Sequence, residues 1–248
     1  MFAPRLALAS LSGESDADWA EASVQHAGGA FLGGIAIDEP TREAAREMVD
    51  RDREEFLPED PVAWVDDQLA ELDEEFLRPG VNVRTTSLGP LREVAGVCAD
   101  HDAVLEVNAH CRQGEMCAAG AGESLLRDPD ALAAQVAAAA PATTSVKVRA
   151  EVGGVNLGAV ARAASDAGAD WIHVDAMDTP GSVTRVAAAA PDLAVVGNNG
   201  VRDAETARRY LDRGAAAVSV GRPTTDPDLL ARVATAVKRA CRAPEGQP

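Results

Sequence analysis

The chain has 248 residues, of which 46% are apolar and 3% aromatic, and its formal net charge is −17. This length can bury the core of one α/β barrel or of two smaller domains, and Val, Leu, Ile and Ala must fill that core because aromatic residues are few. Such an acidic surface repels nucleic acid at low salt, and we expect no DNA partner.

Arginine supplies nearly all the positive charge, because Lys147 and Lys238 are the only lysines. An acid-rich, lysine-poor composition resembles the proteins of salt-loving archaea, and we therefore expect a halophilic archaeon as the source. In molar salt the screening length falls to about 3 Å, so on this hypothesis the acidity says little about RNA binding. A solvated acidic face is a simpler interpretation than an acidic tail or a cation store.

Cysteine usage and hydropathy predict a soluble cytoplasmic protein without a metal. The four cysteines, at positions 98, 111, 117 and 241, form no CxxC pair, and no His cluster has zinc spacing. The N-terminal apolar run is too short for a signal peptide, and no later stretch reaches membrane-spanning length. The oligomeric state cannot be read from the sequence, although exposed helices could support a homodimer.

Strand-like and helix-like stretches alternate along the chain. Two short apolar strands are predicted at 6–9 and 30–37, with a helix at 16–26 between them. The acidic stretch at 38–78 is predicted to form two solvated helices that join two strands, with a lid over a site as the alternative. Beyond it, further strands are predicted at 81–85, 104–108, 145–148, 171–175, 194–198 and 216–220. The helices between and after them are predicted at 90–100, 124–140, 156–167, 182–190, 203–212 and 228–241.

This order predicts eight βα units, the number that closes a TIM (β/α)8 barrel. We therefore expect a single α/β domain over residues 1–248, with a helical acidic insertion between the second and third strands. An open doubly wound sheet is the structural alternative. It would need fewer units at this length, and no G-x-G-x-x-G follows the first strand.

Polar residues at the carboxyl ends of the strands are the candidate site, because active sites of closed barrels lie there. The stretch at 104–113 reads as a buried strand that runs into Asn108, His110 and Cys111. The other candidates in these positions are Ser10, Arg84, Lys147, His173, Asp175, Asn198, Asn199, Gly200, Gly221 and Arg222. His173 and Asp175 alternate on one strand, so both face the same side of the sheet.

Two of these groups indicate specific chemistry. Asn198–Gly200 and Gly221-Arg222 follow the last two strands, where barrels commonly hold a phosphate; tight βα turns are the alternative. Lys147 interrupts an apolar strand, and a buried lysine needs an anionic partner or a shifted pKa. It could form a Schiff base, stabilise a reduced, anionic cofactor, or belong to a structural ion pair.

Together these motifs resemble the flavin-dependent dihydrouridine synthases, particularly a short archaeal branch of nifR3-related TIM-barrel proteins. In that family the fourth strand ends in Asn-x-Gly-Cys-Pro, which is similar to Asn108-Ala109-His110-Cys111-Arg112. The family's Val-Lys-x-Arg matches residues 146–149, its Gly-Asn-Gly-Asp is similar to residues 197–200, and its Gly-Arg matches residues 221–222.

The resemblance implies an FMN-dependent reductase of the C5=C6 bond of uracil in tRNA. FMN would lie across the barrel mouth, with its phosphate at Asn198–Gly200 and Gly221-Arg222 and with Lys147 near its N1/O2 edge. Ser10, Arg84, Asn108, His173 and Asp175 would complete the cofactor site. FMN would deliver hydride to C6, Cys111 would protonate C5, and NADPH or NADH would reduce the flavin.

Departures from the family pattern leave other substrates open. His110 and Arg112 replace the Gly and Pro beside the cysteine, so we expect both to contact the substrate. Arg84 stands at the family's flavin-contacting Gln, and Asp175 stands at its strand-6 His. The chain ends after its last predicted helix, so the helical domain that grips tRNA in the family is expected to be absent. The alternatives are a flavoenzyme acting on a free pyrimidine- or pterin-like ring, a flavin-free phosphate-sugar enzyme using Lys147, and a non-catalytic ligand-binding barrel.

Overall fold

A computed structural model gives the fold and describes residues 2–72, 77–176 and 178–240. Its eight parallel strands pair in sequence order, and β1 pairs with β8 to close the barrel. The strands are Leu6–Leu8 (β1), Gly29–Ala36 (β2), Arg78–Arg84 (β3), Val104–Ala109 (β4), Thr143–Arg149 (β5), Trp171–Asp175 (β6), Ala194–Asn198 (β7) and Ala217–Val220 (β8). The predicted TIM barrel is therefore confirmed.

Helices cover the outside of the barrel and fill several of the loops. They are Ala17–Glu21 (α1), Glu39–Val49 (α2), Pro61–Ala70 (α3), Leu88–Asp100 (α4), Gly114–Ala118 (α5), Pro129–Ala138 (α6), Leu157–Asp166 (α7), Gly181–Ala189 (α8), Ala204–Leu211 (α9) and Pro227–Ala240 (α10). Two 3₁₀ helices span Gly122–Arg127 and Arg222–Thr225. Among the described residues, no helix is long and apolar enough to cross a membrane. The predicted end of the last helix, at 241, lies outside the described residues.

Alternation along each strand separates two environments. On β4, Leu105 and Val107 belong to the large apolar cluster between the strands and the helices, whereas Val104, Glu106 and Asn108 take the opposite face. The lower barrel interior is a small apolar layer made of Phe2, Ala7, Phe31, Val104, Trp171, Val196 and Ala217. The interior therefore changes from apolar at the amino ends of the strands to polar at their carboxyl ends.

The helix predicted at 124–140 is wrong at its beginning. The helix α6 begins at Pro129, and the Asp128 side chain caps it by accepting from the Ala131 amide at 3.0 Å. Proline suits the first turn of a helix, where its missing N–H has no intrahelical partner. The residues before it form α5 and a 3₁₀ helix, so the loop after β4 is built of short helical turns.

The insertion between β2 and β3 contains the two expected helices, α2 and α3, and its residues 73–76 lie outside the described part of the chain. The connection between these helices corrects the expectation of a simply solvated segment. The Glu55 side chain is 1% exposed and pairs with Arg84 at the end of β3. The connection also packs on Gly13, where a Cβ atom would lie 2.5 Å from the Cβ of Glu54. It therefore covers one side of the barrel mouth.

Candidate active site

Neighbouring strands bring the predicted site residues side by side at the barrel mouth. Asn108 on β4 is in register with Lys147 on β5, and Asp175 on β6 is in register with Asn198 on β7. Because parallel strands end at the same rim, these side chains lie around one opening. Lys147 is 4% exposed, and its ammonium donates a hydrogen bond to the Ser10 hydroxyl at 2.9 Å.

Burial lowers the pKa of Lys147 below its ordinary value, while the charges of Glu106, Asp175 and Cys111 act in the opposite direction. Only one of the three ammonium N–H groups has an acceptor among the described residues. The Lys147 ammonium therefore has N–H groups available to donate hydrogen bonds to an anionic or carbonyl-bearing ligand.

Glu106 lies at the centre of the barrel interior and was missed by the sequence analysis. Its carboxylate is fully buried and accepts from Asn82 Nδ2 at 2.8 Å and from the Ser145 hydroxyl at 3.1 Å. It also contacts His173 Nδ1 at 2.8 Å. Burial alone would raise the pKa of Glu106, but His173, Lys147 and Asn82 hold it at about 2. The side chain is therefore a permanent anion at neutral pH.

A chain of amides links this anion to Cys111. A carboxylate only accepts hydrogen bonds, so Asn82 turns its NH₂ group to Glu106 and its oxygen to Asn108. The Asn108 Nδ2 atom donates to that oxygen at 2.7 Å. The Asn108 oxygen then accepts from the backbone amides of His110 at 3.0 Å and Cys111 at 2.8 Å. The orientation of the cysteine turn is thus set from the barrel centre.

The following segment fixes the Cys111 turn from its other side. The Cys111 carbonyl accepts from the Glu123 amide at 2.8 Å and from the Cys117 thiol at 3.5 Å. Gly122 allows this approach, because its φ is +64° and a Cβ atom there would lie 2.3 Å from the Cys111 carbonyl oxygen. Cys111 also packs on a small apolar cluster of Ala44, Met48, Met116 and Ala121. The turn is therefore held both by hydrogen bonds and by packing against α2.

His173, a predicted cofactor contact, lies below the groups at the mouth. Its side chain is 0% exposed, and its ring stands 5.3 Å from that of Phe31 in the apolar layer. Both ring nitrogens have interior partners, Glu106 at 2.8 Å and the Ser219 hydroxyl at 2.7 Å. Ser219 in turn donates to Asn198 Oδ1 at 2.9 Å, so His173 supports the mouth from below.

Arg84 is also enclosed, beneath the connection between α2 and α3. Its Nη2 atom donates to the Ser12 hydroxyl at 3.1 Å, to the Gly34 carbonyl and to the Glu55 carboxylate. Burial lowers the pKa of Arg84, but Glu55 and then Cys111 raise it above its ordinary value. Its Nε and Nη1 atoms are buried without an acceptor among the described residues. Glu55 and Cys111 are therefore the electrostatic partners of the guanidinium.

His110 and Asp175, two departures from the family pattern, contact each other across the mouth. His110 Nε2 lies 2.7 Å from Asp175 Oδ2, and Asn199 Nδ2 donates to Asp175 Oδ1 at 3.0 Å. Burial raises the pKa of Asp175, but His110 and Asn199 hold it at about 2. Burial lowers the pKa of His110 below its ordinary value, against the hydrogen bond that His110 donates to Asp175 and the charge of that carboxylate. A neutral imidazole paired with a carboxylate therefore joins the cysteine turn to the loop after β7.

The residues of the predicted phosphate site lie in the loops after β7 and β8. The Tyr210 hydroxyl donates to the carbonyls of Asn198 at 3.0 Å and Asn199 at 2.8 Å, which fixes the turn in which Asn199 has a φ of 76°. Gly221 precedes the 3₁₀ helix that begins at the exposed Arg222. Arg112, directly after Cys111, is exposed and forms no ion pair within the described residues, so its predicted contact with the substrate stays a prediction.

Comparison with known proteins identifies the family. The family model described as dihydrouridine synthase (Dus) matches residues 81–247, the part of the chain from β3 onward. The chain belongs to the dihydrouridine synthase family. Among curated proteins it is 27% identical over 130 residues to Uncharacterized protein MJ0144 of Methanocaldococcus jannaschii, a match that covers 52% of this chain and 50% of that protein.

Solved structures show the same fold at low sequence identity. A mutant of FabK from Thermotoga maritima superposes with a TM-score of 0.58 at 14% identity, covering 90% of this chain and 63% of that one. This likeness concerns the barrel alone. Membership of the dihydrouridine synthase family instead rests on residues 81–247, which include Asn108, Cys111, Lys147 and the loops after β7 and β8.

Glu106→Gln tests the buried anion. Because the folded-state pKa of about 2 lies below the ordinary pKa of 4.5, the stabilisation is present above pH 4.5 and is lost as the pH falls toward 2. At neutral pH we expect Glu106→Gln to lower the free energy of unfolding by about 1–3 kcal/mol. The difference from wild type should shrink by about 2 kcal/mol near pH 3, measured by urea unfolding. A constant difference across this range would contradict the assignment.

Glu55→Gln tests the covering connection. The change leaves the buried Arg84 guanidinium without its charged partner, so we expect a loss of about 3–5 kcal/mol in the free energy of unfolding. Glu54→Gln is the matched control, since that neighbouring side chain is exposed and should change stability by less than about 0.5 kcal/mol. Equal effects of the two substitutions would show that the pair contributes nothing.

Proposed function

We propose that the protein is an FMN-dependent oxidoreductase that reduces the C5=C6 bond of a uracil ring in tRNA, with NADPH or NADH as the source of electrons. The observation that carries this proposal is the placement of Cys111 and Lys147 at one barrel mouth, within a chain of the dihydrouridine synthase family. The fixed turn of Cys111 supports a role for its thiol in the reaction rather than in packing.

The residues at the mouth fit FMN by the chemistry of their donors. Lys147 has N–H groups without a protein acceptor, and Arg84 has two buried nitrogens in the same condition among the described residues. FMN brings carbonyl and phosphate oxygens as acceptors, and when bound it supplies a hydride for an electron-poor carbon. Lys147 and Ser10 would hold the ring, while Asn198–Gly200, Gly221 and Arg222 would hold the phosphate.

The chain's own residues would then handle one proton and one negative charge. Lys147 would place a positive charge beside the cofactor. The negative charge of Glu106, below Lys147, favours this charged form of the lysine. The Cys111 thiol would donate its proton to C5 as hydride arrives at C6, so that the ring gains two electrons and two hydrogens. Asn108 would keep the thiol in place, because its side-chain oxygen accepts hydrogen bonds from the backbone amides of His110 and Cys111.

A free unsaturated ring, such as a pyrimidine or pterin, is the second candidate substrate. It is favoured by His110, which is bulkier than the Gly of the family pattern and is braced by Asp175. The connection that carries Glu55 also covers part of the mouth. Both features narrow the space for a base that reaches the site as part of a polynucleotide.

FMN titration with Lys147→Met tests the cofactor. We expect wild-type protein to bind FMN, and Lys147→Met to lose about 1.5–3 kcal/mol of binding free energy because a charged donor is removed. Flavin fluorescence quenching measures both affinities. Lys238→Met is the matched control, since the only other lysine is exposed on α10 and should leave the affinity unchanged. Wild-type protein that takes up no FMN would contradict the proposal and favour the flavin-free barrel enzyme.

Cys111→Ala tests the proton donor. We expect this variant to keep its affinity for FMN and to lose about 10²–10⁴-fold in the rate of dihydrouridine formation, because general acid catalysis contributes an effect of this size. Cys117→Ala removes the neighbouring thiol of the same loop and should retain most of the rate. Product can be measured by mass spectrometry of digested tRNA. Wild-type activity in Cys111→Ala would overturn the assignment.

A further inference from the structure

The pair formed by His110 and Asp175 has a defined proton arrangement. Asp175 Oδ1 accepts from Asn199 Nδ2 at 3.0 Å, and Oδ2 lies 2.7 Å from His110 Nε2. A carboxylate cannot donate, so the proton of this contact belongs to His110 Nε2. In the neutral imidazole the other nitrogen, Nδ1, is then a bare acceptor.

The electrostatic surroundings favour that neutral state. Burial lowers the pKa of His110, and the positive charges of Lys147 and Arg149 lower it further, whereas the hydrogen bond to Asp175 and the charge of Asp175 act in the opposite direction; the net effect is a lowered pKa. The side chain is 27% exposed, and Nδ1 has no hydrogen-bond partner among the residues that the structure describes. An oriented acceptor is thus available at the mouth, on the residue directly before Cys111.

We propose that His110, locked in the Nε2–H tautomer by Asp175, recognises the substrate by accepting a hydrogen bond from a ring N–H at Nδ1. The substrate class is a cyclic amide or imide whose N–H lies near the carbon that is protonated. This inference rests on the proposed function for the presence of such a ring, but the tautomer itself is a property of the protein alone. His110 is then a recognition residue and Asp175 a positioning residue.

Two features of the structure support recognition rather than a simple brace. Asn108 accepts from the amides of both His110 and Cys111, so the two side chains leave one rigid turn and keep a fixed relation. In addition, Asp175 is itself oriented by Asn199, although a brace between two loops would need only the contact between His110 and Asp175. A carboxylate held in this way selects one tautomer, as well as one ring position.

Asp175→Asn separates the two roles. An Asn amide can keep both contacts, with its oxygen accepting from Asn199 and its NH₂ donating to His110 Nε2. This reverses the tautomer, so that Nδ1 becomes a donor and opposes a ring N–H. If His110 and Asp175 only hold the two loops together, this change should have no effect on substrate binding. If His110 Nδ1 recognises the substrate, binding should weaken. Asp66→Asn is the matched control, because Asp66 pairs with His101 at 2.9 Å between α3 and α4, in the outer helical layer.

The test is nitrogen NMR of ¹⁵N-histidine-labelled, flavin-free protein near pH 7.5, titrated with uracil, 1-methyluracil and 3-methyluracil. We expect the Nε2–H tautomer for His110 in wild type and in Asp66→Asn, and the Nδ1–H tautomer in Asp175→Asn. Uracil and one of its two N-methyl derivatives should shift the Nδ1 signal, and methylation of the recognised nitrogen should weaken binding about tenfold or more. Asp175→Asn should weaken uracil binding by a similar factor.

Several results would overturn the inference. These are an Nδ1–H tautomer in wild type, no response of Nδ1 to any of the three rings, equal binding of all three, or unchanged uracil binding in Asp175→Asn. FMN titration of the same samples separates this failure from failure of the proposed function. Protein that binds FMN but shows one of these results would keep its flavin assignment and lose the role of His110.

Discussion

The negative charge of Glu106 inside the barrel is the constraint on which the arrangement of the mouth depends. A carboxylate that is 0% exposed must be paired and hydrogen bonded, and the neighbouring strands supply Asn82, Ser145 and His173 for this purpose. Because the Glu106 carboxylate can only accept hydrogen bonds, it determines the orientation of the Asn82 and Asn108 side-chain amides. Asn108, oriented by Asn82, accepts hydrogen bonds from the backbone of the cysteine turn. The position of the proposed proton donor, Cys111, therefore depends on Glu106 through two intervening side chains.

The mouth above this interior is asymmetric, and the asymmetry bears on the substrate. On one side, the connection between α2 and α3 lies on Gly13 and inserts Glu55 beside Arg84. On the other side, His110 and Asp175 close the gap between the loops after β4 and β7. The site thus has a charged wall, a neutral imidazole and a thiol around one donor-rich lysine, a composition suited to a flat polar ring.

Sequence alone could predict the barrel, Cys111 and Lys147, because these depend on local periodicity and on the rule that barrel sites lie at the strand ends. Glu106 was missed although its position two residues before Asn108 puts both on the interior face. In a short apolar strand, no local pattern marks a single acidic residue as part of a site. The depth of His173 depends on how high each strand reaches in the closed barrel, which periodicity does not give. The contacts of Glu55 with Arg84 and of His110 with Asp175 join residues 29 and 65 positions apart, and no local pattern encodes them.

The central claim is that this barrel transfers reducing equivalents from bound flavin to a uracil ring. Its most direct test is a single turnover without oxygen, in which protein carrying reduced FMN is mixed with unmodified tRNA or with free uracil and the flavin absorbance is followed. We expect one of the two rings to reoxidise the flavin and to be recovered with two added hydrogens. Flavin that stays reduced in the presence of both would contradict it.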